Sequence, residues 1–241
     1  MTVTLGHLLG GKVRYAQPRV GFRSGIEPVL LAAAVNARAG DSVLEAGTGA
    51  GAALLCLSAR VPGVHGTGVD RDAAMLHIAR ENAAANGYAE LRFVAADVSA
   101  LPLRGQFDHA CANPPYHPAG GTTSPLARRE IAKRAAPGLF DTWIGALARL
   151  LRPRGTLTFI LPAAALPDCL GAMGAADCAA TAILPLWPGE GRAAKLVIVQ
   201  GVRGGRSALR LLTGLVLHDA GGTFTREADA ILRGGAALTL A

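Results

Sequence analysis

Ser42-Val43-Leu44-Glu45-Ala46 is a short apolar run that enters Gly47-Thr48-Gly49-Ala50-Gly51, and a helix-favouring stretch from Ala52 to Arg60 follows directly. Strand, glycine turn and helix in that order constrain the chain more than any other feature, because the unit belongs to a parallel sheet covered by helices. Glycines in the turn let the backbone pass close under a ligand. Glu45 at the strand tip suits a cationic or hydroxyl-bearing group rather than a pyrophosphate, and the turn lacks the further glycine that the dinucleotide fingerprint needs.

The pattern recurs downstream. A second strand, Val64 to Val69, ends at Asp70, about twenty residues on, where an acid can take both hydroxyls of an adenosine ribose. A third, Leu91 to Ala96, ends at Asp97, whose carboxylate or neighbouring backbone can read the amino edge of an adenine. Each acid has a plainer alternative: Asp70 can cap the helix that starts near Asp72, and Asp97 can begin a turn. A fourth strand, Phe107 to Ala112, ends at Asn113. Glu45, Asp70, Asp97 and Asn113 would then line the carboxyl edge of one sheet, where ligands bind in such folds.

Asn113-Pro114-Pro115-Tyr116 is a way of holding a flat amino group. The lone pair of an exocyclic amino nitrogen is delocalised into its ring, and two acceptors on its hydrogens favour a pyramidal, more nucleophilic nitrogen. Asn113 offers a side-chain oxygen and Pro114 a carbonyl. Consecutive prolines fix φ and remove two N–H donors, which stiffens the corner. Tyr116 supplies a stacking face, typically worth ~1 to 3 kcal/mol per base. The catalytic candidates are therefore Asn113, Pro114, Pro115 and Tyr116, with His117 at the pocket rim.

The remaining elements frame the motifs. Helices are expected over Ala73 to Asn86, with Asp72 as cap and Gly87 as stop, over Leu139 to Leu151, closed by Pro153 and Gly155, and over Ala163 to Met173, interrupted by Pro167. Further strands are expected at Thr156 to Leu161, Ala180 to Leu186 and Lys195 to Val202, and Leu209 to Leu217 adds a short strand or packs beneath the sheet. Gly120 to Ser124 reads as a substrate loop.

At 241 residues and 51% hydrophobic, the chain can bury a substantial core in one domain. Its organisation reads as a leader (1–40), a core (41–202) and a C-terminal extension (203–241). The apolar excess is largely alanine, with no run long enough for a membrane span, and no signal-peptide pattern opens the chain. Cys56, Cys111, Cys169 and Cys178 are scattered without a C-x-x-C pair and read as reduced, buried thiols of a cytoplasmic protein. The histidines form no ligand spacing, so no metal is expected. Net charge is +7 and the pI is about 9.8, which favours an anionic partner. Arg128, Arg129, Lys133 and Arg134 follow the proline corner, Arg149, Arg152 and Arg154 follow the next helix, and Lys12, Arg14, Arg19 and Arg23 crowd the leader. Flanking the pocket, these clusters form a positive rim for phosphates; taken singly, each is an ordinary solvated charge.

The motif set resembles the class I S-adenosylmethionine-dependent methyltransferases. More narrowly it resembles the bacterial valine-tRNA adenine-N6 methyltransferase family. The narrower likeness rests on Leu8-Leu9-Gly10-Gly11-Lys12-Val13, Gln17-Pro18, Gly21 through Ala32, Ala127-Arg128-Arg129-Glu130, Ala194-Lys195, Gly204-Gly205-Arg206 and Leu217-His218-Asp219. It departs at Glu27, where the family carries aspartate. The resemblance implies a Rossmann-like α/β fold with a seven-stranded, mainly parallel sheet, helices on both faces and an antiparallel edge hairpin. S-adenosylmethionine is the implied cofactor, with Gly25, Glu45, Ala46, Gly47, Thr48, Gly49, Gly51, Asp70, Arg71, Asp97, Val98 and Asn113 around it. The implied substrate is adenine N6 beside a tRNA anticodon, met by Arg23, His117, Arg128, Arg129, Lys133 and Arg134, and the protein is expected to be a monomer or weak homodimer. A protein glutamine N5-methyltransferase, a ribosomal RNA guanine N2-methyltransferase and a non-catalytic RNA-binding module are the alternatives. The separate N-terminal helical domain usual in the glutamine enzymes is not expected here, which weighs toward RNA.

Overall fold

A computed structural model describes residues 2–20, 24–115 and 138–240. The leader begins with an antiparallel hairpin, β1 (Val3–Leu8) and β2 (Val13–Pro18), followed by helix α1 (Glu27–Ala34). The core alternates β3 (Ser42–Ala46), α2 (Ala52–Arg60), β4 (His65–Asp70), α3 (Ala73–Ala85), β5 (Arg92–Ala95) and β6 (Phe107–Ala112). After these come α4 (Leu139–Leu150), β7 (Leu151–Pro162), α5 (Leu166–Ala175), β8 (Cys178–Gly189) and β9 (Leu196–Arg203). The extension adds β10 (Arg210–Leu211), β11 (Leu215–His218) and α6 (Arg226–Leu232).

The sheet runs β10-β8-β9-β7-β6-β3-β4-β5, with β11 also on β8. Every pairing is parallel except those of β9 with β7 and β8. This is the Rossmann-like class I architecture expected from the sequence, carrying nine strands where seven were expected. The two extra strands come from the extension and pair with the twelve-residue β8, whose outer edge would otherwise present unpaired N–H and C=O groups. The β8–β9 hairpin therefore lies inside the sheet margin rather than at it.

Successive residues of a strand serve opposite faces. Cys111 joins the cluster beneath α1, α2 and α3, whereas Ala110 and Ala112 join the one beneath α4 and α5. The first cluster also takes Leu9, Val13 and Tyr15 from the leader and Ile231, Leu232 and Leu238 from the extension. Helix α3 starts where expected, because Asp72 Oδ1 accepts from the backbone N–H of Ala74 (2.9 Å) and Met75 (3.3 Å).

Two proline positions refine the reading. Helix α4 ends at Leu150, short of Pro153 and Gly155 as expected, but the strand expected from Thr156 begins already at Leu151, opposite Phe107, and the register jumps before His109 meets Thr156. That bulge, with Arg154 at φ +68°, absorbs the proline without ending the strand. Pro167 sits in the first turn of α5, where its missing N–H is not needed, so the helix is not interrupted there.

Candidate active site

β3 and β6 are neighbours in register, with Ala46 opposite Ala112, both fully buried. The two chains therefore leave the sheet side by side, about 4.8 Å apart. One turns into the glycine loop, the other into Asn113-Pro114-Pro115. Asn113 is half-buried and Pro114 buried, which places the corner at the rim rather than within the core.

The glycine turn is held by backbone and by one acid. Thr48 donates its N–H to Val69 O (3.0 Å), and Gly51 donates to Thr48 O (2.9 Å). Gly47 and Gly51 have φ of +68° and +86°, a region that L side chains seldom adopt. Crowding compounds this: a Cβ on Gly47 would lie 2.8 Å from Trp143 Cη2, and one on Gly51 would meet Ala79 at 3.3 Å and Phe93 at 3.4 Å. Asp70 fastens the turn, accepting from Gly49 N–H at Oδ2 (2.9 Å) and from Asp72 N–H at Oδ1 (2.9 Å). Asp72, not Asp70, is thus the helix cap. Each Asp70 oxygen keeps a second lone pair for a hydroxyl.

Glu45 lies directly below. It is 4% exposed, and Thr48 Oγ1 donates to its Oε2 at 2.6 Å. Burial pushes its carboxyl up to about 8, against the downward pull of the Thr48 hydroxyl and the Leu54 N–H; the charge of Asp70 adds to the rise. Asp97 is the opposite case. It caps the 3-10 turn Val98–Ala100, accepting the N–H (2.8 Å) and hydroxyl (2.7 Å) of Ser99 at Oδ1. Those bonds, with Arg71 nearby, hold its carboxyl below the usual range. The turn-starting alternative is what Oδ1 does, and Oδ2 has no hydrogen bond among the described residues. Val98 behind it is buried.

These features fit an adenosine-bearing cofactor: a bare backbone turn where side chains do not fit, an anchored acid beside it and a second acid at the next strand end. Tyr116, His117, Arg23, Arg128, Arg129, Lys133, Arg134 and the Gly120 to Ser124 stretch lie outside the described residues. Arg149, Arg152 and Arg154 do not belong to a substrate rim. Arg149 lies in the last turn of α4 and Arg152 and Arg154 at the start of β7, opposite the start of β6 and on the sheet edge away from Asn113, where Arg152 pairs with Asp108.

Three residues near the cleft escaped sequence reasoning. Trp143 on α4 reaches Gly47. Tyr15 shares a hydrogen bond with Ser24 Oγ at 2.7 Å and lies close enough to Glu45 to interact with it, which ties the segment before Gly25 to the acid beneath the glycine turn. Asn82, 3% exposed, accepts from Ala16 N–H (2.8 Å) and donates to Ala16 O (2.9 Å) and Ala50 O (3.0 Å), tying leader, glycine turn and α3 together. Asn86, one turn later, does the same for Arg14. Asn82 was the available signal, since asparagine is disfavoured in a helix interior unless its amide is used; Asn86 is the residue that closes the helix.

Residues 43–138 match a methyltransferase domain family. A release factor glutamine methyltransferase of Chlorobaculum tepidum is 36% identical over 146 residues, covering 56% of this chain and 50% of that protein. A tRNA1(Val) (adenine(37)-N6)-methyltransferase of Actinobacillus succinogenes is 33% identical over 149 residues, covering 60% and 63%. The chain thus spans between half and two thirds of these curated relatives. Another enzyme of the second name, from Aeromonas hydrophila, is 28% identical with 86% and 87% covered. Among solved structures, a predicted O-methyltransferase, protein Atu636 of Agrobacterium tumefaciens, superposes with a TM-score of 0.72 at 25% identity, over 88% of this chain and 98% of that one. Fold, matched domain and relatives agree: the chain carries a class I, S-adenosylmethionine-dependent methyltransferase domain, similar both to tRNA1(Val) adenine-N6 methyltransferases and to release factor glutamine methyltransferases.

Proposed function

We propose that this protein methylates an exocyclic amino nitrogen, adenine N6 in the anticodon loop of a valine tRNA. The observation that carries the reading is the Ala46–Ala112 register, which sets the proline corner beside the glycine turn. S-adenosylmethionine supplies an electrophilic methyl on a sulfonium, and this chain supplies position. Asp70 takes the ribose hydroxyls with the lone pairs left over from Gly49 and Asp72. Asp97 orients the adenine through Oδ2 or its turn, with Arg71 alongside. Glu45, held protonated beneath the turn at neutral pH, serves the cofactor's amino end as a neutral hydrogen-bonding group rather than a counter-charge, under Gly25 and the leader. Asn113 Oδ1 and Pro114 O accept the two hydrogens of the target amino group, and the half-buried setting of Asn113 shields those bonds from water. Tyr116 stacks on the extruded base, and the arginines after the corner hold phosphates. No strong general base is required, because the nitrogen becomes acidic once methylated. Its place of work is then the cytoplasm, as a monomer or weak homodimer and without a metal.

A protein glutamine N5 acceptor is the second reading. It is favoured by the 36% identity to the glutamine enzyme, while the tRNA enzymes align over more of the chain. Labelled S-adenosylmethionine, offered with unmodified total tRNA and separately with release factor, decides between them by mass spectrometry of the product. N6-methyladenosine in tRNA is the expected outcome; label on a glutamine or on no acceptor refutes it. Asn113→Ala should lower the single-turnover rate at least about 100-fold and leave cofactor affinity within about twofold.

A further inference from the structure

We infer that Trp143 is the aromatic wall of the cofactor cleft and that its indole takes the adenine ring of the cofactor. The inference rests on the methyltransferase reading and assigns a binding residue within it. Trp143 lies in the second turn of α4, past the proline corner in sequence, yet its ring returns to the first residue of the glycine turn. A Cβ on Gly47 would stand 2.8 Å from Cη2 and 3.2 Å from Cζ3. The helix that carries Trp143 packs against the turn Val98–Ala100 behind Asp97, and Trp143, like Val94, Ala96 and Leu101, lies against the apolar cluster that includes Val98.

The ring thus meets the glycine turn while its helix meets the turn behind Asp97, and an adenosine whose ribose Asp70 holds lies between those two turns. Its burial differs from that of its neighbours. Ile144 and Leu147 on the same helix are fully enclosed and Phe140 nearly so, whereas Trp143 is half-buried. A large aromatic surface left partly open at the mouth of a cleft, on a helix whose other core residues are sealed, is matched to a flat aromatic ligand. Stacking on an aromatic side chain is the interaction such a surface offers to a purine.

The chain has two tryptophans, and the other, Trp187, is fixed on β8 by its Nε1 donating to Thr213 O at 3.0 Å. Trp187→Phe thus leaves Trp143 as the sole reporter. S-adenosylhomocysteine and 5′-methylthioadenosine should each change its emission, saturating at the dissociation constant found by calorimetry, and L-methionine should not. In the unaltered background, Trp143→Leu, which keeps apolar bulk under Gly47, should weaken both adenine-bearing ligands roughly 10- to 100-fold, and Trp143→Phe should restore most of the loss. Calorimetric binding with unchanged Trp143 emission, or wild-type affinity in the leucine variant, overturns the inference and leaves the methyltransferase reading standing. No heat with either adenine ligand overturns both.

Discussion

Replacing Glu45 by glutamine tests whether the acid beneath the glycine turn is held protonated by its surroundings. The carboxyl rises from 4.5 to about 8, chiefly because it is buried. A raised carboxyl binds its proton in the folded chain at pH values where the unfolded chain has released it. Stability is therefore greatest below about 4.5 and falls as pH climbs toward 8. The full span corresponds to an upper bound of roughly 5 kcal/mol, a large share of the 5 to 15 kcal/mol typical of a domain. Glu45→Gln removes the titration. Its amide can face only one of the two donors, Thr48 Oγ1 and the Leu54 N–H, with an oxygen, so near pH 5 the variant should be less stable by about 1 to 3 kcal/mol. Above pH 8 the order should reverse. Urea unfolding from pH 5 to 9 would show two curves that cross, at unchanged m-value. Parallel curves would mean that Glu45 is ionised in the folded protein, and the reasoning from its burial would fail.

Asp70→Asn presents an NH2 to one of the two backbone donors, Gly49 or Asp72. It should cost about 1 to 3 kcal/mol of stability and weaken S-adenosylhomocysteine at least about tenfold by calorimetry; an intact dissociation constant would remove Asp70 from the cofactor site. Asn82→Ala deletes three bonds between α3, the leader and the glycine turn, a loss of about 2 to 4 kcal/mol. Hydrogen exchange should quicken at the Ala16 amide far more than at the β6 amides. Uniform quickening would show that the leader does not open on its own.

Where the sequence and the structure agree, the cause is local. Strands β3 and β6 and helix α2 start and stop where the sequence predicts, because the glycine turn and the proline corner that bound them are adjacent in the chain. Asp72 was legible as a cap for the same reason, since the residue, its spacing and the helix it opens lie within four positions. What was not legible depends on partners far along the chain. Trp143 reaches back across almost a hundred positions to Gly47, and Asn82 holds Ala16 from sixty-six away. The arginines near 150 misled because charge clustering says nothing about which edge of the sheet carries it; the strand direction of β7, invisible in composition, sends them to the wrong one.

Charge at the described cleft runs against charge on the chain as a whole. Asp70 and Asp97 lie at successive strand ends, and among the described residues Arg71 acts on Asp97, in a protein of net charge +7. Under the proposed function the two signs would sort the two ligands. A sulfonium cofactor, cationic at its reactive centre and at its amino end, would be drawn into an acid-lined cleft, while the proposed RNA substrate would be drawn to the basic exterior and kept from the cofactor's seat by the same acids. Methyl transfer neutralises the sulfonium and so removes one attractive partner from the cleft, and that loss favours departure of the spent cofactor. A neutral cleft would hold substrate and product cofactor almost alike; the acids that the strand tips supply make the exchange directional in binding energy.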